Sequence, residues 1–448
     1  MYQTIFFEDL GKPGVAICNE GFIGDGRAAS FSKGIPGFRL VAETVPSECN
    51  VIEQVEEGIS EAVVDEVVAA LTKPPTADEK SPESKERELP RVVFKGNLQE
   101  INSFFYKRGW TDGLPIIPPT QEAVDEMLTG TDLPPDHVVA KMIPRLGKAT
   151  VEKIAINAVM AGAIPPYMPL LIAGVQALVD PASSLYVFGV STSSWSPLWV
   201  INGPIRNDLN INSGLGALSP GNIANATIGR AMGLIIRNIA GIRRGIEDMG
   251  CLGNAGKYSM VLAENEEKSP WEPLHVERGL NKEDSAITVF YANCYVQSWP
   301  HGTNAKGVLE SAIANTAVGL PGRNAAFLLP PTNAKWLADE GWTKAEIREF
   351  LKEYARVPAY QHSYKAFWGN PPREFSPVSE MSSMRLFLHS DNIIVVVAGD
   401  VHNVQGLVLG SKSSGESIFV TRKAELPANW DNLVKKYKDM VPTYIRYY

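Results

Sequence analysis

The apolar positions along the chain alternate between two periods. Gly14–Asn19 (GVAICN) and Gly37–Val45 (GFRLVAETV) are short apolar runs suited to buried strands. Ile59, Val63, Val67 and Leu71 then recur at helical spacing, so the pattern predicts a helix that lies back on that sheet. This makes residues 1–75 a small, partial Rossmann-like α/β unit, with too few strands for a complete doubly wound domain. Residues 76–90 (TADEKSPESKERELP) carry dense charge and only Leu89 as a large apolar residue, which reads as a charged linker or solvated loop.

From residue 91 to 448 the pattern predicts one larger α+β domain, so the fold class is α/β overall. Asn97–Trp110 reads as a helix, and Gly113–Thr120 (GLPIIPPT) as extended, because each proline pushes its predecessor out of the α region. Ile154–Val179 runs 26 residues without a charge, long enough to cross a bilayer. Pro165, Pro166 and Pro169 interrupt it, since proline removes a donor and clashes with the preceding turn. The segment therefore reads as two buried helices joined at a proline elbow, and the chain as soluble. Thr150 opens the first of them. Ser219-Pro220 reads as the cap and first residue of a helix reaching about Asn238. Pro331–Arg356 reads as two helices broken at Gly341-Trp342. Asn392–Gly399 (NIIVVVAG) is the clearest buried strand, and Ile418–Thr421 another. No internal repeat is visible.

Composition narrows the function classes. With 42 Lys and Arg against 50 Asp and Glu, the net charge is -8, and no concentrated basic face is apparent, so a nucleic-acid partner is not expected. Residues 1–10 carry Glu8 and Asp9 and no basic stretch, unlike a secretory signal. Cys18, Cys49, Cys251 and Cys294 are widely spaced, which fits a reducing cytoplasm better than a disulfide framework.

Three stretches could carry chemistry. In Trp110-Thr111-Asp112-Gly113-Leu114-Pro115 a carboxylate sits in a rigid Gly/Pro turn. It suits a base, a substrate hydroxyl or a metal, or merely an Asx turn. Ala263–Glu277 (AENEEKSPWEPLHVE) packs five carboxylates, His275 and Trp271 into fifteen residues. Carboxylates with a neutral imidazole suit acid/base work or a divalent cation, although the spacing matches no standard zinc motif. The third, from Asn202 through Asn212, Gly214 and Gly216 to Ser219 and Asn222, is crowded with Asn and Gly and leads into a helix. It suits a small carboxylate or phosphate, or is simply a glycine-rich connection; it is neither GxGxxG nor a P-loop. Cys251, flanked by Gly250 and Gly253, is the best-placed thiol. No GxSxG elbow exists, which counts against an α/β-hydrolase.

Several of these stretches together resemble the UGSC-like family, whose selenocysteine- or cysteine-containing members are associated with thiol/selenol redox chemistry. Gly11-Lys12-Pro13-Gly14-Val15 and Val63–Pro74 (VVDEVVAALTKP) resemble the later part of its small α/β domain. Thr111–Thr120, Gly256-Lys257-Tyr258-Ser259 with Ala263–Gly279, Gly341-Trp342-Thr343-Lys344 and the strand ending Ala398-Gly399 resemble a large domain found with it. The motif that names the family is absent, and Ala163 stands where Ala-Gly-Cys is usual. The resemblance thus implies an oligomer, either of this chain alone or with a UGSC-motif subunit that completes the small domain.

Two readings follow. In the first the chain is an enzyme, a lyase or oxidoreductase, acting on a small anionic metabolite. Asp112, Glu264, Glu267 and His275 converge as catalytic groups, with or without a divalent metal, while Trp271, Asn212, Gly214, Gly216, Ser219 and Asn222 bind substrate. In the second it is a non-catalytic subunit that stabilises its partner.

Overall fold

The computed structural model describes residues 10–32, 37–45, 51–80, 91–319, 324–361, 381–402, 404–411 and 418–438, with a few isolated positions besides. Residues 81–90 of the expected linker, Cys49 and His362 lie outside them. The fold is mixed α/β with several small sheets.

Strand β1 (Ala16–Asn19) pairs in parallel with β2 (Leu40–Glu43), from Ala16 opposite Leu40 to Asn19 opposite Glu43. Helix α1 (Ile23–Ser32) forms the crossover, followed by α2 (Ile52–Gly58) and α3 (Glu61–Thr72). Ala16 and Phe38 form a small core with Ile35 and Leu40. The expected stripe on α3 does not bury as predicted. Val63 and Val67 are only partly buried, and Ile59 and Leu71 are 38% and 40% exposed. The two strands among the described residues offer too little surface to cover a twelve-residue amphipathic helix.

Helix α4 (Leu98–Lys107) opens with a capping box between Asn97 and Glu100. The extended arm after it is pinned where the Ile116 N–H donates to Asn102 Oδ1 at 2.7 Å. Helix α5 (Gln121–Leu128) leads to the hairpin of β3 (Val138–Met142) and β4 (Gly147–Thr150). Thr150 then caps α6 (Val151–Ala161), which ends at Gly162 in the left-handed region, φ 82°. Pro165-Pro166 form a tight 3₁₀ turn, and α7 (Met168–Val179) follows almost wholly buried. The proline elbow is therefore real, and no single helix among the described residues is long and apolar enough to cross a membrane.

Strand β5 (Ser196–Asn202) pairs in parallel with β6 (Val261–Ala263) and antiparallel with β7 (Ala286–Ala292), which also pairs with β14 (Val420–Lys423). Helix α8 (Ile223–Ile235) is capped by Asn222, not by Ser219, and runs into a π-helical turn, Ile236–Ala240. The second sheet is ordered β12-β9-β13-β8: β8 (Cys294–Ser298), β9 (Asn324–Leu329), β12 (Ile393–Val397) and β13 (Gly406–Ser411), while β10 (Arg356–Pro358) and β11 (Ser383–Arg385) pair with each other. Helices α9 (Ala305–Gly319), α10 (Pro331–Asp339) and α11 (Lys344–Tyr354) accompany it, the last two meeting at Gly341 as expected. A final helix, α12 (Trp430–Tyr437), packs its Trp430 and Leu433 into the main core.

The second sheet explains the uninterrupted apolar run of β12. Ala326, Leu328, Ile394 and Val396 face the main core, shared with the first sheet and helices α6 to α8. Ala325, Phe327, Leu329, Ile393 and Val395 face a second core under α9 and α11. A sheet buried on both sides needs apolar residues at every position, not at alternate ones.

Candidate functional site

The acidic stretch after β6 folds into a buried ionic hub between the two sheets. Glu264, fully buried, accepts from Asn202 Nδ2 and from the Leu274 N–H, both at 2.7 Å, and from Lys344 Nζ at 3.2 Å. Lys344 begins α11, where a cation opposes the helix dipole. Glu264 and Glu277 (2.9 Å) offset that, and the Glu272 carbonyl takes its remaining proton at 2.8 Å. Arg348 pairs with the other oxygen of Glu277 at 2.8 Å. Arg206, equally buried, bridges Glu266 and Glu267 at 3.0 Å each and donates to the Glu264 carbonyl at 2.7 Å. Gly203, at φ 85°, brings its N–H to Glu266 at 2.8 Å.

His275 is buried, its Nδ1 lying 3.9 Å from Glu266 and its Nε2 3.4 Å from the Lys282 carbonyl. Trp271 donates from its indole to the Trp342 carbonyl at 2.9 Å and leans on the second core. The hub thus sets four carboxylates against Arg206, Lys344 and Arg348, each charge answered by a neighbour. Among the described residues no three His, Cys, Asp or Glu side chains gather to hold a metal ion. The divalent cation that the acidic stretch suggested finds no such seat there.

Half-exposed Glu267 is pulled in two directions. Burial raises its carboxyl, but the hydrogen bonds from Arg206 and Asn207 outweigh this and hold it at about 2, against an ordinary 4.5. A depressed carboxylate contributes stability above its unfolded value, lost as pH falls through the folded one. The chain is therefore expected to lose stability as pH drops from 4.5 towards 2, and Glu267→Gln to flatten that slope in acid denaturation followed by circular dichroism.

Asp112 stands elsewhere. Its two oxygens take a bidentate pair from Arg230 on α8, at 2.8 and 3.0 Å, and the Leu114 N–H closes an Asx turn at 3.1 Å. The Asx turn expected as one alternative is thus present, and the carboxylate is in addition held by an ion pair. Asp112 and Arg230 line a cavity of about 780 Å³, whose wall includes neither Glu264, Glu267 nor His275. The expected convergence of the four residues is thus corrected: three meet in the hub, and Asp112 belongs to a separate site.

One side of the cavity is a face of α8 and its π turn, where Arg230, Gly233, Ile236 and Arg237 recur at helical spacing. A second side is apolar: Phe188, Trp195 and Tyr291, with rings stacked or tilted 4.5 to 5.3 Å apart. The loop through Arg244, Asp248, Cys251 and Lys257 forms the third. Lys257 pairs with Asp248 at 2.6 Å. Behind this loop Arg145 and Arg243 both converge on buried Glu247. Among the described residues Arg237 and Arg244 have no carboxylate partner. Burial lowers the Arg237 guanidinium, with Asp112 opposing and the neighbouring charge of Arg244 adding to the fall. Its Nε donates to the Gly109 carbonyl at 2.7 Å, which fixes its direction.

The Asn/Gly loop does not line the cavity either, and its polar groups serve one another. Asn212 Oδ1 accepts from the Gly214 N–H at 2.9 Å, and Asn222 Nδ2 donates to the Asn210 carbonyl at 2.8 Å. Asn225 Nδ2 reaches the carbonyls of Asn212, Ala217 and Val261. Gly216 sits at φ 65°, and Ser219 closes its turn by a backbone bond to the Gly216 carbonyl at 2.8 Å. The glycine-rich connection accounts for this geometry.

Sequence reasoning gave no site role to Arg230, Arg237, Arg244, Asp248, Lys257 or Tyr291. The signal was the i, i+7 spacing of Arg230 and Arg237 on a predicted helix. No family model, no curated protein and no solved structure matches the chain.

Proposed function

We propose that the chain binds a small anionic metabolite in the cavity beside α8 and acts on it as an enzyme. The observation that carries this reading is a wall with Arg230, Arg237, Arg244 and Lys257 against Asp112 and Asp248, two of the arginines having no ion-paired carboxylate among the described residues. Cations held close together on a partly buried wall repel one another, and an anion seated among them relieves that repulsion. The volume falls within the range of small-molecule sites, which is 300–1,000 Å³ or so. Groups on the wall that can move protons are the Asp248–Lys257 pair and the exposed Cys251 thiol, so acid/base chemistry is the reaction type the lining suits.

The test is a thermal-shift panel of small mono- and dicarboxylates and phosphate, repeated on Arg237→Ala and Arg244→Ala. At least one anion is expected to raise the melting temperature of the wild type and to slow alkylation of Cys251 by iodoacetamide. Each alanine variant should weaken that anion about tenfold to a hundredfold, the worth of one hydrogen bond to a charged group. Stabilisation that persists unchanged in both variants sinks the proposal.

A second reading, a subunit completed by a UGSC-motif partner, is favoured by the half-open stripe of α3 and, among the described residues, by a parallel sheet of two strands, an arrangement normally covered on both faces. Native mass spectrometry of the protein from its own host separates the two. A stoichiometric second chain supports the partner, and a single-species complex removes it.

A further inference from the structure

The charges on the cavity wall do not cancel. Two of its cations are engaged by carboxylates, Arg230 by Asp112 and Lys257 by Asp248. Arg237 and Arg244 have no such partner among the described residues, so four cations face two carboxylates and the lining carries an excess of two positive charges. The buried cluster behind the loop adds one more, because Glu247 answers only one of Arg145 and Arg243. The charges share one region of the wall. Arg230 and Arg237 stand seven residues apart on one face of α8 and its π turn, and the Arg237 guanidinium lies within electrostatic reach of Asp112, Arg244, Asp248 and Glu247. Its hydrogen bond to the Gly109 carbonyl holds it in that position. On the loop side Gly250 and Gly253 line the cavity, and they carry no side chain to keep a ligand off the backbone.

Resting on the anion-binding reading above, we infer that the ligand is a phosphate monoester, bound as its dianion at Arg237 and Arg244. One tetrahedral group concentrates both negative charges at a single centre, and its three terminal oxygens accept charge-assisted hydrogen bonds from both guanidinium groups. A monocarboxylate or a sulfate ester answers only one of the two excess charges. A dicarboxylate answers both, but on separate groups, so that one charge lies away from the arginines. A phosphate monoester is mostly the dianion at neutral pH, since its second ionisation lies at about 6. The cavity, of about 780 Å³, is far larger than a phosphoryl group and leaves room for the organic part of the ester.

The test compares phenyl phosphate with phenyl sulfate on the full chain by isothermal titration calorimetry. The two have nearly the same shape, and only the phosphate gains a second charge as pH rises through about 6. At about pH 7.5 the phosphate is expected to bind about tenfold more tightly, the effect of one further charge beside an unanswered cation. At about pH 5 the two should bind alike, because both are then monoanions. Arg244→Ala, at the exposed mouth, should reduce the preference at the higher pH to about threefold or less. Equal binding of the two esters at about pH 7.5, or a preference undiminished at about pH 5, overturns the inference, while measurable binding of either keeps the anion site standing. Phenylsuccinate binding more tightly than phenyl phosphate would place the two charges on separate groups and also overturn it. Inorganic phosphate binding as tightly as the phenyl ester would leave the organic part without a role and remove the ester. If no probe binds, the inference falls, and the anion panel decides the broader reading separately. The pH comparison on wild type is decisive even if the variant folds poorly.

Discussion

Lys344→Met is expected to destabilise the chain by about 3–5 kcal/mol, the usual cost of removing one partner of a buried ion pair. The substitution keeps the length and apolar stem of the side chain, so little packing is lost. What it removes is the cation facing Glu264, which is fully buried. Glu277 keeps Arg348, but Glu264 is left with only two neutral donors, Asn202 Nδ2 and the Leu274 N–H. Adding Glu264→Gln should restore part of the loss. The amide oxygen can still accept from both donors, and no lone charge remains. The check is the urea midpoint of the two single variants and the double variant, read as a double-mutant cycle. A Lys344→Met protein within about 1 kcal/mol of wild type would show that water reaches Glu264 and that the hub is not the joint described above.

Gly203→Ala is expected to cost about 2–5 kcal/mol, from two sources. At φ 85° any side chain strains the backbone by about 1–2 kcal/mol. A methyl group there would also lie 2.1 Å from the Asp284 carbonyl oxygen and 2.7 Å from the Ser285 Cα. Both are backbone atoms, so relief requires moving the start of β7, at an overpacking cost of about 1–3 kcal/mol. That movement would pull the Gly203 N–H away from Glu266. Gly253→Ala is the control: its φ is 73°, but nothing lies within 4 Å of the added carbon. The difference between the two urea midpoints isolates the crowding. Equal losses in the two variants would mean that the segment after β5 yields freely.

What was legible in the sequence was local. The proline elbow followed from the chemistry of Pro165 and Pro166, and the break between α10 and α11 from Gly341. Strand β12 announced itself because a sheet buried on both faces permits no polar residue between Ile393 and Val397. The acidic stretch was correctly seen as a packed, shaped loop, since its Trp and prolines are wasted on a solvated face. Its use was not legible. The cations that neutralise it come from about 60 residues earlier, at Arg206, and 80 residues later, at Lys344. Composition within fifteen residues cannot report such partners. The Asn/Gly loop misled for the opposite reason: its side chains looked free, yet they are consumed by their own backbone. The cavity stayed hidden because Arg230, Arg237, Arg244 and Lys257 each resemble an ordinary surface charge until α8 and the loop after it bring them to one wall.

The parting of hub from cavity makes ionic strength a way to address one without the other. The hub's central pairs, Lys344 with Glu264 and Arg206 with Glu266, meet at hydrogen-bond distance out of water, where dissolved ions do not come between them. The cavity opens to solvent at Arg244, so its field passes through electrolyte and fades as the screening length shrinks from about 10 Å at 0.1 M salt to about 3 Å at 1 M. Raising salt should therefore weaken capture of an anion while leaving the unfolding midpoint nearly where it was. The molecule keeps its structural charges dry and its working charges wet.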